Sequence, residues 1–266
     1  MKLVLDNKVI LVTGAGRGLG REISRLAARS GAKVIGGSRT RSDLESLEAE
    51  LAADTAAVEA GGIFVGVPLD VTDLASIDSF VGSARQRFGR VDGLVNNTGA
   101  GVSVSSLELT TDEFRQTFDF NAQAMFFCSQ RAARVMVEQG EGGAIVNISS
   151  NFAVAGVGIR SAYCAAKAAV DSLTKSFAVE WAPLGIRVNA VAPGTMNTPG
   201  YQRARTSAPR MVEDLIALTP SGRIAEPEEV AALTVFLLSN QCGAMTGQVM
   251  AVDGGQSIPL AALSKG

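Results

Sequence analysis

The chain has 266 residues, of which 47% are hydrophobic and 19% are charged, and its formal net charge is −2. This composition is typical of a globular protein with a substantial core, and it argues against a broad basic surface for nucleic acid. The chain contains no histidine, which excludes histidine bases, histidine metal ligands and Ser-His-Asp triads.

Short apolar runs alternate with longer amphipathic ones along the chain. The short runs predict seven strands, because strands that are covered on both faces are apolar throughout. These strands are expected at residues 9–12, 33–36, 63–67, 93–95, 144–148, 187–191 and 248–252. Helical patterns lie near residues 18–30, 41–59, 73–88, 111–139, 161–182 and 227–239.

Strands that alternate with helices predict βαβ units. The expected fold is α/β, a Rossmann-like doubly wound seven-stranded parallel sheet with helices on both faces. Neither a linker nor an internal repeat is evident, so we expect a single domain that spans residues 1–266. The longest irregular stretch, about 194–212, follows the sixth predicted strand and is expected to form a substrate lid.

The cysteines and the N-terminal residues bear on the cellular location. Cys128, Cys164 and Cys242 are odd in number and far apart, which argues against a disulfide framework and a thiolate metal site. No signal-peptide pattern is seen, and no stretch reaches the ~18 apolar residues of a membrane span. We therefore expect a cytoplasmic protein that binds no metal, no membrane and no nucleic acid.

A glycine-rich turn follows the first predicted strand and leads into a helix. Gly14, Gly18 and Gly20 give the pattern T-G-x-x-x-G-x-G. Glycines let the backbone approach a pyrophosphate, and the helix N-terminus supplies free N–H groups and a positive dipole end. The turn therefore predicts a nucleotide site.

The end of the second predicted strand bears on the choice of cofactor. Folds that prefer NAD usually carry an acidic residue there for the ribose 2′-hydroxyl. Here the position holds Ser38, and Arg39 follows it. A guanidinium can bind a 2′-phosphate bidentately, and Arg17 in the glycine turn could reach the same group. This pattern favours NADP(H) over NAD(H); the alternative is that both arginines are solvated surface charges.

Tyr163 and Lys167 are four residues apart in a predicted helix, so they share one face. A free tyrosine has a pKa near ~10, and an ammonium one turn away is expected to lower it. A tyrosine of this kind beside a dinucleotide site suits proton transfer coupled to hydride transfer.

These motifs, in this order, resemble the short-chain dehydrogenase/reductase family, of the single-domain type of about 250 residues. The resemblance extends from Lys8 to Gly255. Asp70-Val71 resembles the adenine-contacting pair of the family. Asn96-Asn97-Thr98-Gly99 resembles its N-N-A-G motif, with Thr98 in place of alanine. The closing stretch, Val252-Asp253-Gly254-Gly255, is similar as well.

The resemblance also implies the catalytic residues and their roles. Tyr163 would exchange a proton with the substrate oxygen, and Ser150, thirteen residues earlier, would hydrogen-bond the same oxygen. Lys167 would bind the nicotinamide ribose, and Asn121 would hold a water that links Lys167 to solvent. For Asn121, a polar residue satisfied by the backbone is the alternative.

Pro193-Gly194 resembles the start of the family's nicotinamide cradle. Met196 stands where valine or isoleucine is usual, and Thr198 would bind the carboxamide. With the predictions made from the residues themselves, the expected cofactor contacts are Gly14, Arg17, Gly18, Leu19, Gly20, Ser38, Arg39, Asp70, Val71, Asn97, Gly99, Tyr163, Lys167, Pro193, Gly194, Met196 and Thr198.

The predicted function is hydride transfer between NADP(H) and a ketone or secondary alcohol. Phe152, Val154 and Val157 indicate an apolar pocket wall and hence a small to medium, mainly hydrophobic substrate. A 3-oxoacyl thioester reductase is an alternative, weakened because Glu141 and Leu184 stand where basic residues would bind an acyl carrier protein. An NAD-dependent alcohol dehydrogenase of the same family is another.

Two further alternatives belong to other classes. A redox-sensing regulator on this scaffold would be expected to lack the tyrosine or the lysine, and both are present. A dehydratase or epimerase would show a different glycine spacing and a larger C-terminal region. The resemblance further implies a homotetramer, or a homodimer, formed through the helices near 111–139 and 161–182. Their apolar residues include Phe126, Phe127, Ala132, Ala133, Val170 and Phe177.

Overall fold

The structure, a computed structural model, describes residues 4–207 and 209–258. Within them, seven strands form one sheet: β1 (Val9–Thr13), β2 (Lys33–Ser38), β3 (Ile63–Pro68), β4 (Gly93–Asn96), β5 (Gly143–Ile148), β6 (Ile186–Pro193) and β7 (Val249–Val252). The order across the sheet is β3-β2-β1-β4-β5-β6-β7, and the six pairings are all parallel. The predicted doubly wound parallel sheet is thus confirmed.

Helices connect successive strands and cover both faces of the sheet. They are α1 (Gly18–Arg29), α2 (Arg41–Ala52), α3 (Thr55–Glu59), α4 (Leu74–Phe88), α5 (Thr111–Phe118), α6 (Ala124–Gln139), α7 (Ser161–Trp181), α8 (Pro199–Ser207), α9 (Pro209–Ala217) and α10 (Pro227–Leu238). Residues of α1, α2 and α10 belong to one hydrophobic cluster, and residues of α4, α6 and α7 belong to a second.

The alternation of side chains along β1 shows why its sequence is apolar throughout. Ile10 and Val12 point into the first cluster, whereas Val9 and Leu11 point into the second. Successive residues of a strand face opposite sides of the sheet, so a strand covered on both sides buries all of them. Each such side chain stabilises the fold by roughly 1.5–3 kcal/mol.

The strand order places a crevice beside β1. From β1 the chain runs outward to β2 and β3, and then returns to β4 on the other side of β1. The connections that follow β1 and β4 therefore leave in opposite directions. Ligands of open α/β sheets bind at such a switch point, outside the carboxyl ends of the strands.

Three predicted elements differ from the structure. The helix expected over 41–59 is two helices, because Asp54 caps α3 by accepting hydrogen bonds from the N–H groups of Ala56 and Ala57. The helix expected over 111–139 is interrupted by a π-helical turn at Asp119–Gln123. The prediction that residues 194–212 are irregular is wrong, because α8 and α9 occupy most of this stretch. Each of these helices has a proline in its first turn, where proline is tolerated.

A search of the described residues for a helix long and apolar enough to cross a membrane finds none.

Candidate active site

Two adjoining cavities lie along the carboxyl edge of the sheet. The first, of about 260 Å³, is lined by Gly14, Gly16, Arg17, Ser38, Arg39, Thr40, Leu69, Val71, Asn97, Thr98, Gly99, Ala100 and Phe120. The second, of about 190 Å³, is lined by Leu19, Asn97, Gly99, Ile148, Ser149, Ser150, Tyr163, Lys167, Pro193, Gly194 and Met196. Asn97 and Gly99 line both, so the cavities form one elongated crevice.

The glycine-rich turn leaves room for a ligand against its backbone. Gly14 and Gly18 have φ of +68° and +56°, a region that favours glycine. A Cβ at Gly20 would collide with the carbonyl oxygen of Gly14, whereas the space beside Gly18 is open. The turn followed by α1 is therefore a cradle that fits the phosphates of a dinucleotide.

Asn97 holds this turn against the end of β4. Its Nδ2 donates to the carbonyl oxygens of Thr13 at 3.0 Å and Gly14 at 3.2 Å. Its backbone N–H donates to Thr13 Oγ1 at 3.0 Å. Asn97 thus fixes the shape of the cradle at the same time as it lines the crevice.

The far end of the first cavity carries the residues predicted to select the cofactor. Ser38 is half-buried there, and Arg17 and Arg39 are exposed. The Arg39 guanidinium lies 5.3 Å from the centroid of the Phe120 ring, within the range of a cation–π interaction. Phe120 was not predicted as a site residue, because only the return of the chain after α5 brings it here.

Of the predicted adenine-contacting pair, Val71 lines the first cavity and Asp70 does not. Asp70 accepts hydrogen bonds from the Thr72 backbone N–H at 2.9 Å and the Thr72 hydroxyl at 2.7 Å. These bonds lower the pKa of Asp70, and the charge of Arg39 contributes to the same shift. Asp70 therefore shapes the turn beside the cavity.

Ser150, Tyr163 and Lys167 meet in the second cavity. Ser150 ends the segment after β5, and its Oγ accepts the Phe152 N–H at 3.2 Å. Tyr163 and Lys167 lie on one face of α7. The structure thus brings the predicted serine, tyrosine and lysine together in one cavity.

Lys167 is fully buried, and its Nζ donates to the carbonyl oxygen of Ile148 at 2.8 Å. Burial lowers the pKa of Lys167 to about 8, and the charge of Asp171, four residues on, opposes this shift. The ammonium is therefore the predominant form at neutral pH, and it loses its proton as the pH rises through about 8.

The pKa of Tyr163 is raised, because burial disfavours the phenolate. The Ser150 hydroxyl and the positive charge of Arg160 oppose this effect without overcoming it. The lowered pKa expected from the spacing of Tyr163 and Lys167 is therefore wrong in sign, since the cost of burial is larger than any charge effect. The tyrosine remains protonated at neutral pH.

Asn121 lies in the π-helical turn, behind the crevice. Its Nδ2 donates to the carbonyl oxygens of Ala100 at 2.5 Å and Thr117 at 2.7 Å. Its Oδ1 is buried and has no hydrogen-bond partner among the described residues. A Cβ at Gly99 would lie 2.8 Å from this oxygen and 3.0 Å from Lys167 Nζ, so Asn121 and Lys167 flank Gly99.

The segment after β6 closes the second cavity. Pro193, Gly194 and Met196 line it, whereas Thr198 does not and instead accepts the Tyr201 N–H at 3.4 Å at the start of α8. Gln256 Oε1 accepts the Thr195 N–H at 3.0 Å and would be 2.6 Å from a Cβ at Gly194. No motif in the sequence indicates this supporting contact.

Arg160 also lies beside the site and was not predicted as a site residue. Its guanidinium lies 6.0 Å from the centroid of the Tyr163 ring. The signal was its position three residues before the tyrosine. As for metals, no group of three His, Cys, Asp or Glu side chains that could hold an ion is found between residues 4 and 258, Ala208 aside.

Comparison with known proteins agrees with this geometry. A family model described as enoyl-(acyl carrier protein) reductase matches residues 14–257. An L-rhamnose 1-dehydrogenase (NAD(P)(+)) from Azotobacter vinelandii is 38% identical over 262 residues, covering 97% of this chain and 100% of that protein. A 3alpha-hydroxysteroid dehydrogenase from Mediterraneibacter gnavus is 38% identical over 257 residues, covering 96% and 98%.

A solved structure of a short-chain type dehydrogenase/reductase from Mycobacterium ulcerans matches with a TM-score of 0.90 at 32% identity, covering 96% of this chain and 91% of that chain. The chain therefore belongs to the short-chain dehydrogenase/reductase family. It is an oxidoreductase that acts on an alcohol or a ketone with a nicotinamide cofactor.

Proposed function

We propose that this protein transfers a hydride between NADP(H) and a ketone or secondary alcohol. The observation that carries the proposal is the layout of one crevice: a serine, a tyrosine and a lysine line one end, and a serine and two arginines line the other. Bound along the crevice, the cofactor supplies or accepts the hydride.

Tyr163 transfers the proton that accompanies the hydride. Because burial keeps its pKa above the usual value, the phenol is the form present at neutral pH and can protonate the oxygen of a ketone. Ser150 donates a hydrogen bond to the same oxygen and holds it against the tyrosine. In the direction of oxidation, the phenolate takes the alcohol proton.

Lys167 and Asn121 support the tyrosine from behind. The Lys167 ammonium binds the hydroxyls of the nicotinamide ribose and supplies positive charge beside the phenol. Asn121 Oδ1 accepts a hydrogen bond from a water that links Lys167 to solvent. The buried, unpartnered oxygen flanking Gly99 favours this role over a purely structural one, since the amide nitrogen alone satisfies the backbone.

The preference for NADP(H) rests on Arg17, Ser38 and Arg39. Among the described residues no carboxylate lines the first cavity, so nothing in its lining repels a 2′-phosphate. The two exposed guanidinium groups can bind the phosphate with charge-assisted hydrogen bonds. The remaining predicted contacts with the cofactor stay proposals, including Asp70 beside the adenine and Thr198 at the carboxamide, neither of which lines the two cavities.

The substrate is a small to medium, mainly hydrophobic molecule. Phe152 packs edge-on to Tyr163 with ring centroids 6.4 Å apart, and it forms an apolar wall beside the reacting oxygen. Residues 194–212, with α8 and α9, serve as the lid. Reduction of a 3-oxoacyl thioester is the second candidate, and it is supported by a 3-oxoacyl-[acyl-carrier-protein] reductase from Thermotoga maritima that is 36% identical over 251 residues.

We further propose a homotetramer of single-domain chains located in the cytoplasm. The outer faces of α6 and α7 enclose a shallow cavity of about 470 Å³ with Phe126 and the stacked pair Phe177 and Trp181, whose ring centroids are 4.1 Å apart. Leu184, at its rim, is exposed. Gln130, Arg134, Glu138 and Glu180 also line this cavity, so a second copy of the chain seated on it would contact apolar and charged side chains together.

A panel of ketones assayed with NADPH and with NADH tests the proposal through the absorbance of the reduced nicotinamide. We expect turnover of neutral ketones with a preference for NADPH. Absence of turnover with every ketone and both cofactors would contradict the reaction. Sedimentation equilibrium tests the tetramer separately.

A further inference from the structure

Arg160 lies beside Tyr163, one of the residues that line the second cavity. It immediately precedes α7, is half-buried, and has its guanidinium carbon 6.0 Å from the centroid of the Tyr163 ring. Gly101, on the facing loop, would place a Cβ 2.7 Å from the Tyr163 ring. Arg160 and Gly101 therefore both adjoin Tyr163, the residue proposed above to meet the substrate oxygen.

The guanidinium is largely unused by the protein itself. Its one hydrogen bond in the described chain runs from Nη1 to the carbonyl oxygen of Gly101 at 3.4 Å, which is long for a hydrogen bond. No carboxylate of residues 4–207 and 209–258 forms an ion pair with it. Arg90 shows the contrast, because it donates to both oxygens of Asp92 and to Glu141 at 2.6–2.9 Å.

The backbone that presents Arg160 is strained. Ile159, the preceding residue, has φ of +59°, a region that a β-branched residue avoids. The strained turn is held by the Val104 N–H, which donates to the Ile159 carbonyl oxygen at 2.9 Å. Strain of this kind is concentrated at functional sites.

We propose that Arg160 binds a carboxylate carried by the substrate, which makes the substrate an oxo acid or the corresponding hydroxy acid. The proposal rests on the reaction proposed above and narrows its substrate class to a mainly apolar chain with one anionic end. A guanidinium offers paired N–H donors that match the two oxygens of a carboxylate. Its place beside the tyrosine sets the carboxylate a few bonds from the reacting carbonyl.

Arg160 also acts on Tyr163, and the experiment must separate this effect from recognition of the substrate. Its positive charge lowers the pKa of Tyr163, so its removal changes proton transfer for every substrate. An oxo acid and its methyl ester share the same carbonyl chemistry and differ in the charge that Arg160 would bind. The ratio of kcat/KM for acid over ester therefore isolates recognition from the effect on the tyrosine.

The test compares 2-, 3- and 4-oxopentanoate with their methyl esters in the wild type, Arg160→Met and Arg160→Lys. Arg29→Met is the matched control, because Arg29 lies at the far end of α1 and pairs with Asp54. We expect the wild type to prefer one acid over its ester. Arg160→Met should lower kcat/KM for that acid by about 10–100-fold, mainly by raising KM. It should lower kcat/KM for the ester by less than about threefold. Arg160→Lys should recover part of the loss, and Arg29→Met should resemble the wild type.

Two results would overturn the assignment: a wild type that prefers every ester, or a variant that loses acid and ester equally. Binding of pentanoate to the wild type with NADP⁺ present, measured by calorimetry, tests the same contact without turnover. Binding weakened about tenfold or more in Arg160→Met supports the carboxylate site, and equal binding rejects it. Failure of the reaction itself would instead appear as no turnover of acids, esters and neutral ketones alike.

Discussion

The ammonium of Lys167 donates to the carbonyl oxygen of Ile148 at 2.8 Å, which ties the catalytic face of α7 to the last residue of β5. Ser150 follows two residues later. This buried hydrogen bond therefore joins the end of the strand that precedes the serine to the helix that carries the tyrosine. The charge that makes this bond is costly to bury, and the cost can be measured.

Lys167→Met is expected to stabilise the fold at pH 7 while it weakens cofactor binding. A buried ammonium whose pKa falls from 10.5 to about 8 costs about 3 kcal/mol, at roughly 1.36 kcal/mol per pKa unit. Loss of the charge-assisted bond to Ile148 offsets roughly 1.5–3 kcal/mol of the gain. Urea denaturation should therefore show a net gain of at most about 1.5 kcal/mol. A variant less stable than the wild type at pH 7 would contradict this assignment of charge.

The same shift predicts how stability and rate depend on pH. The folded-state pKa of Lys167 lies below the unfolded one, so the unfolded chain holds more protons between pH about 8 and 10.5. The wild type should therefore gain stability as pH rises through this window, and Lys167→Met should not. The rate of ketone reduction should fall above pH about 8 as the ammonium is lost. A falling limb that persists unchanged in Lys167→Met would show that another group causes it.

Tyr163→Phe removes the proton donor and leaves the ring in place. Turnover should fall by about 10²–10⁴-fold, the usual scale for a general acid. The ring keeps its edge-on contact with Phe152, so the dissociation constant of NADPH, measured by fluorescence titration, should stay within about threefold of the wild type. Because burial raises the pKa of Tyr163, its titration should not account for the fall in rate that is ascribed to Lys167. Near-normal turnover would reject the role of the tyrosine.

Ser149 and Ser150 form a matched pair for testing the serine. Both are buried, but the Ser149 hydroxyl interacts with Asp171, whereas Ser150 accepts the Phe152 N–H and interacts with Tyr163. Ser150→Ala should lower kcat by about 10²–10³-fold, the scale for a donor to a developing oxyanion. Ser149→Ala should change it by less than about threefold. The reverse order of effects would move the role to Ser149.

The sequence predicts the sheet and much of the crevice because both depend on local patterns. A strand such as β1 is apolar at every position, and glycines mark the places where backbone must meet ligand. The π-helical turn that holds Asn121 has no such pattern, since its residues would also suit an ordinary helix. The predicted shift in the pKa of Tyr163 was wrong in sign for a related reason. The spacing in the sequence indicates which charge lies nearby, but only the packed structure shows how strongly burial disfavours the phenolate.

Residues brought in from distant parts of the chain were the hardest to predict. Phe120 reaches the first cavity from beyond α5, and Gln256 supports Gly194 from beyond β7. Neither lies in a motif that indicates contact with a cofactor. Arg160 adjoins the tyrosine motif in the sequence. Only the structure shows that its guanidinium bonds to the carbonyl oxygen of Gly101 and not to a carboxylate of the described residues.

The preference for NADP(H) should be set by Ser38 and Arg39 together. A charge-assisted hydrogen bond contributes roughly 1.5–3 kcal/mol, so Arg39 should favour NADPH over NADH by about 10–100-fold. The guanidinium carbon of Arg39 lies 5.3 Å from the centroid of the Phe120 ring. Phe120→Leu should therefore reduce the preference for NADPH several-fold by raising the KM for NADPH.

Ser38→Asp combined with Arg39→Ala should invert the preference, because the new carboxylate repels a 2′-phosphate and accepts a hydrogen bond from a bare ribose hydroxyl. The measurement is kcat/KM for both cofactors with one ketone. Arg41→Ala is the matched control, since Arg41 is also exposed near this end but pairs with Glu45 at 2.8 Å. A wild type that prefers NADH would reject this assignment of the strand end and would favour alcohol oxidation as the physiological direction.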